Sequence, residues 1–263
     1  MPTDPSGLAW EEKQALIIGR ASPEPSKRHI ETVCTGAITD QGQLLRLYPI
    51  PLRYLQDTQR YNLWTWAKFE VQKNPQDKRK ESYRVRPDSI RILSRVQSNS
   101  EKFSLLKKAI VQDRETLEEQ YRQDWTSMGV VEVELVDLKP QIQKGNWEKE
   151  KPYIKQFDLF VERKALEQLP IEIRLRYRCR SNPNCKTHVS SLIGWEYMEA
   201  FRNFRNKYRS GSEAFAKIKE VLDRRFSDVT KSSFALLGTH SRYPSWMVAQ
   251  IYFFDKSLPS RLF

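Results

Sequence analysis

The chain has 263 residues, of which 39% are hydrophobic and 30% charged. That is a globular composition with room for one large domain or two small ones, and it excludes a disordered or collagenous chain. Lys and Arg number 45 against 33 Asp and Glu, leaving a net charge of +12 and a pI near 9.6, which favours a polyanionic partner.

Residues 14–19 (QALIIG) read as a buried first strand, followed by a Pro/Ser turn from Ser22 to Ser26. A hairpin is predicted from Ile30–Thr39 and Leu44–Ile50 around Asp40-Gln41-Gly42. In Leu63–Val71 the alternation puts Leu63, Thr65, Ala67, Phe69 and Val71 on one face, with Trp64 and Trp66 opposite. A fifth strand is expected over Ser82–Leu93, and five short strands in about 80 residues suggest a small barrel of OB-like size. The period turns helical from Glu101 to Trp125, with Leu106, Ile110, Leu117 and Tyr121 as the buried stripe. Strands return at Val130–Leu138 and Ile171–Arg180, separated by a polar, lysine-rich loop at Gln141–Lys155. Two helices follow, one striped by Trp195, Met198, Phe201, Phe204 and Tyr208. The other is striped by Phe215, Ile218, Leu222 and Phe226, with Ser212 as its N-cap. Ser233–Gly238 and Trp246–Phe254 close the chain as strands.

The fold class expected is α+β: OB-like β-barrels with inserted and C-terminal helices. Residues 1–97 form the N-terminal barrel, 98–126 a connecting helix, and 127–263 a second β-rich domain with helices and a Cys/His metal site.

Basic charge is concentrated in two places. Lys73–Arg95 holds eight Lys/Arg against three acids, and Ile171–Lys231 fourteen against seven. Within the second, Ile171, Ile173, Leu175, Tyr177 and Cys179 alternate with charged residues. Arg174, Arg176, Arg178 and Arg180 then stand in a row on the other strand face. Their spacing of about 6.6–6.8 Å approaches that of phosphates along a nucleic-acid backbone, so the row is a candidate phosphate contact. Pairing with acids of a neighbouring strand is the alternative. Lys78, Arg79, Lys80 and Arg84 would extend the basic track, and Trp64 and Trp66 could stack bases if exposed on a barrel face.

Cys179-Arg-Ser-Asn-Pro-Asn-Cys185-Lys-Thr-His188 brings two thiols and an imidazole within ten residues at a strand end, the way zinc knuckles present ligands. A structural zinc is therefore expected, with His240 as fourth ligand and His29 or Cys34 as weaker choices. Asp77 and Glu81, four apart, could hold a divalent metal at a nuclease centre, and Glu196 could serve a catalytic zinc; a charged turn is the simpler reading of the first pair. HExxH, Walker A, GxGxxG and GxSxG patterns are absent.

Glu31–Ile38, Leu45–Pro51, Asp77–Tyr83, Arg178-Cys179 with Cys185–His188, Gly194-Trp195-Glu196 and Gly238–Trp246 together resemble an uncharacterised prokaryotic family. That resemblance implies two OB-like domains and occurrence among mobile-element and defence genes.

The function expected is nucleic-acid binding, DNA or RNA, by a binding protein rather than an enzyme. A metal-dependent nuclease and a docking subunit of a larger nucleoprotein complex are the alternatives. No apolar run approaches the roughly 18 residues of a bilayer span. The N-terminal stretch MPTDPSGLAWEEK lacks an apolar signal core, and three cysteines make no disulfide framework. A cytoplasmic location with no membrane partner is expected.

Overall fold

The computed structural model describes residues 8–26, 30–142, 169, 171–240, 243 and 245–260. Seven strands build the N-terminal half: β1 (Glu11–Arg20), β2 (Glu24–Ser26), β3 (Ile30–Ile38), β4 (Leu44–Ile50), β5 (Thr65–Lys73), β6 (Ser82–Val85) and β7 (Arg91–Arg95). Pairing runs β1-β3-β4-β6-β5, and β1 with β5 closes the barrel; β7 lies beside β5 and β2 beside β3. The expected strand over 82–93 is broken in two by a 3-10 turn at Pro87–Ser89, where the fixed proline φ leaves the ladder.

The expected single helix over 101–125 is likewise two: α1 (Asn99–Lys107) and α2 (Arg114–Asp124). Asp113 accepts from Thr116 N and starts α2 as a fresh N-cap, a boundary that the apolar stripe ran across. A second barrel follows, made of β8 (Met128–Ile142), β9 (Ile171–Cys179), β10 (His188–Leu192), β11 (Lys231–Thr239) and β12 (Trp246–Asp255), and closed in the order β10-β12-β11-β8-β9. Helices α3 (Trp195–Tyr208) and α4 (Gly211–Phe226) cross from β10 to β11. Ser210, not Ser212, caps α4, accepting from Glu213 N. No helix among the described residues is long and apolar enough to cross a membrane.

The two barrels share one connectivity. Counting only barrel strands, each runs first-second-third-fifth-fourth-first, and in each the third and fifth are parallel: β4 with β6, and β10 with β12.

Three apolar clusters hold this arrangement. Ala15, Ile17, Val33, Leu45, Leu47, Ala67, Phe69 and Val71 fill the first barrel. Ile173, Leu175, Tyr177, Leu237 and Val248 fill the second, roofed by Met198, Phe201, Ile218 and Leu222 of α3 and α4. The third cluster lies between the barrels, where Leu16, Ile18 and Ile38 meet Phe103, Leu106, Phe234, Leu236, Tyr252 and Phe254. Strands β1 and β11 send alternate side chains to a barrel interior and to this shared layer. That double burial is why QALIIG and FALL read as continuous apolar runs without a polar face. At Gly19 a Cβ would come within 2.6 Å of Leu236, so the close approach of β1 to β11 needs a residue without one.

Trp64 and Trp66 fall on the face opposite the first core, as the alternation predicts, but the second barrel covers that face. Both pack against the shared layer, and Trp64 lies 5.4 Å from the Tyr252 ring and 6.3 Å from Phe254. They are interface residues, not an exposed stacking platform.

Candidate ligand cleft and metal centre

Two places gather chemistry-bearing side chains. The first is at the end of β9. Antiparallel pairing of β9 with β10 sets His188 opposite Tyr177, and the turn between brings Cys179, Cys185 and His188 together. Their fourth neighbour is Glu115, in the first turn of α2; the ligand atoms of all four lie within 4.8 Å of one another. His188 Nε2 is 3.4 Å from Cys185 Sγ and 3.1 Å from Glu115 Oε1. His240, the ligand expected from sequence, is elsewhere: it stacks on Tyr243 at 5.4 Å and lines the cleft between the barrels. Cys34 lines the same cleft, and His29 falls outside the described residues.

The surroundings suit a soft cation. Cys179 Sγ accepts from Arg114 N at 3.3 Å, and Cys185 Sγ accepts from Cys179 N at 3.1 Å, the amide bonds that support thiolates. Asn182 donates to Asp113 at 2.7 Å and fastens the turn to the start of α2. Burial pushes the Cys179 thiol up to about 12, opposed by the Arg114 amide and reinforced by Cys185. Burial also lowers His188, helped by Arg114 and resisted by Glu115, which leaves a neutral imidazole able to coordinate. Two sulfurs, one imidazole nitrogen and one carboxylate oxygen make a donor set for a zinc-type ion and not for calcium or magnesium. Glu115 stands 64 residues before Cys179, on an amphipathic helix whose pattern marks it only as polar, so no local spacing could point to it.

The second place is a cleft of about 830 Å³ between the barrels. Its rim gathers Ala21–Glu24 after β1, Asn74 and Gln76–Arg79 between β5 and β6, Leu169 and Ile171 at the start of β9, and His240 after β11. Tyr48 and Trp125, exposed by 44% and 42%, line it too.

The expected basic track divides here. Arg79 is buried, held by Asp77 (2.6 Å) and by the carbonyl of Thr239 in the other barrel (2.8 Å), and so ties the barrels together instead of facing solvent. Burial works to raise the Asp77 pKa, but the bonds from Arg79 outweigh it and hold the carboxyl below its ordinary value. Glu81 is also buried and accepts from Ser127 N and Oγ. Asp77 and Glu81 therefore each serve a structural partner, Arg79 and Ser127. Lys78 is exposed over the Trp125 ring at 5.2 Å, Lys80 pairs with Asp124, and Arg84 donates to Gln76. Glu196 is engaged by Arg20 at 2.5 Å, a second link between the barrels.

Strand β9 carries its arginines outward as the alternation predicts, but neighbouring acids answer them. Arg174 pairs with Glu172 at 3.0 Å, Arg180 reaches Glu132 at 4.0 Å, and Glu134 and Asp137 stand opposite Arg178 and Arg176 in the ladder. Acids thus neighbour the whole row, through ion pairs at Arg174 and Arg180 and through ladder position alone at Arg176 and Arg178. Arg178, Arg180 and Lys186 are exposed around the turn beside the Cys/His/Glu cluster, with Arg180 still within reach of Glu132.

Paired five-stranded barrels with a shared cleft and a Cys/His/Glu centre define a mixed α and β protein of two similar halves. The chain belongs to the family described as Domain of unknown function (DUF8757), whose model matches residues 111–263. A second model, Domain of unknown function (DUF8758), matches residues 11–113, so the two meet between α1 and α2. No curated protein matches the chain.

Proposed function

We propose that this is a nucleic-acid-binding protein built from two OB folds, in which a strand lies across the cleft and a zinc ion braces the β9–β10 turn. The observation that carries the reading is the convergence of equivalent connections on one cleft. OB folds bind oligonucleotides with the loops after the first and fourth strands and with the face of the second and third. From those loops Ala21–Glu24, Asn74 and Gln76–Arg79 in one barrel, and Leu169 and His240 in the other, line the cleft. Lys78 supplies an exposed cation at the cleft, and Arg178, Arg180 and Lys186 supply a second group at the β9–β10 turn, at the other end of β9 from the cleft; Tyr48 and Trp125 supply the exposed rings that Trp64 and Trp66 do not. Zinc would be held by Glu115, Cys179, Cys185 and His188 and would act structurally, locking α2 to the turn. The resemblance to a two-OB family of mobile-element and defence genes is in keeping with this reading.

Metal analysis of the purified protein beside salt-titrated binding to single-stranded DNA and RNA tests it. One zinc per chain is expected, lost in Cys185→Ser. Affinity should fall steeply with salt, and replacing Arg178 and Arg180 by Ala should lower the salt slope by about two. Absence of binding to either strand at low salt sinks the proposal, and a slope unchanged in the double variant removes the turn from it.

A further inference from the structure

Deep in the cleft two side chains from opposite barrels hold unanswered hydrogen-bonding capacity. Arg46 of β4 is 8% exposed. Its terminal nitrogens reach Ser127 O (3.2 Å), Ser127 Oγ (3.3 Å) and Cys34 Sγ (3.8 Å), while its Nε has no partner. No carboxylate among the described residues pairs with it; nearby Glu81 is occupied by Ser127. Thr239, at the end of β11, is wholly buried, and its Oγ1 also lacks a partner. The two are neighbours, because Thr239 N donates at 3.0 Å to the same Ser127 carbonyl that accepts from Arg46. Gly238 keeps the space open: a Cβ there would come within 3.1 Å of the guanidinium.

A buried guanidinium that meets a carboxylate only through Ser127 and whose Nε has no partner, beside a buried hydroxyl without a bond, is costly in a folded protein unless something else completes both. Arg46 and Arg79 line this region together; Asp77 pairs with Arg79, while Arg46 has no direct carboxylate partner among the described residues and reaches Glu81 only through Ser127. We infer that Arg46 and Thr239 form the subsite for a phosphoryl group at the floor of the cleft. A tetrahedral oxyanion offers separate oxygens to donors arriving from two barrels, which a planar carboxylate does less well. The volume above the subsite suits a nucleotide, and Tyr48 and Trp125 line the same cleft to take its base. The group could belong to a free nucleotide or to the 5′ end of a strand. This inference deepens the nucleic-acid reading by giving the cleft a preference for a terminal phosphate.

Titration calorimetry of the full chain with adenosine 5′-monophosphate, and with one short single-stranded DNA carrying either a 5′-phosphate or a 5′-hydroxyl, decides it. Tighter binding of the phosphorylated strand, by about tenfold, supports the subsite and assigns it to strand ends. Binding of the mononucleotide without either strand supports it for a free nucleotide and removes the nucleic-acid reading. In both cases Thr239→Val should weaken binding about tenfold while leaving thermal stability equal or higher, since the hydroxyl it removes bonds nothing in the fold. Arg46→Lys should weaken it further. Equal binding of both strands with no affinity for the mononucleotide would overturn the subsite and leave the broader reading intact. Affinities unchanged in Thr239→Val would overturn it as well.

Discussion

Arg79 shows how a charged residue in a basic run can be structural. It is 9% exposed, and its two partners come from its own loop and from the other barrel. Asp77→Asn should leave a buried guanidinium short of its counter-charge and cost about 3 kcal/mol at neutral pH. The sign with pH follows from the lowered Asp77 pKa: its contribution is present above the ordinary carboxylate value and is lost as pH falls through the folded one. Denaturant melts of both forms should therefore differ at pH 7 and converge only as pH falls below the ordinary carboxylate range. A gap of constant size across that range would show that the ion pair is not its source.

Among the strands, β5 carries the clearest division of labour. Ala67, Phe69 and Val71 fill its own barrel, while Trp64, just before it, and Trp66 pack on the other. Trp64→Ala should open a cavity in the shared layer and cost about 3 kcal/mol, measured by chemical denaturation. If Trp64 were instead a base-stacking residue, the same variant would keep its stability and lose affinity. Strand β9 makes a related point, because acids on β8 stand beside three of its arginines, Glu132 pairing with Arg180 and Glu134 and Asp137 facing Arg178 and Arg176 in register. The exposed cations of this strand, Arg178 and Arg180, lie at its end beside the Cys/His/Glu cluster.

For the whole molecule, the layer between the barrels is as apolar as either interior, with Leu16, Ile18, Leu106 and Leu236 fully buried in it. Separating the halves would expose that layer on both. Fragments 1–113 and 111–263, expressed alone, should be aggregation-prone or loosely packed, and mixing them should restore a cooperative melt. Calorimetry and amide NMR spectra of each fragment check this. A sharp independent transition in either one would mean that the layer is a docking surface and not a core. If the chain melts as one unit, the cleft's walls are held fixed, as the proposed phosphate subsite requires.

Much of this architecture was legible in the residues. Period-two alternation placed Ile173, Leu175 and Tyr177 in a core and their arginine neighbours outside, because neighbouring side chains of a strand must point to opposite faces. The spacing of Cys179, Cys185 and His188 along one hairpin similarly announced a ligand cluster. Contacts between segments far apart in the chain were decided only by the tertiary structure. Glu115 reaches the cluster from a helix 64 residues upstream, Trp64 and Trp66 meet a barrel that begins at Met128, and Arg46 and Thr239 converge on the carbonyl of Ser127. Local pattern reports which face a residue takes. What covers that face depends on chain closure over long distances, for which hydrophobic period and spacing carry no information.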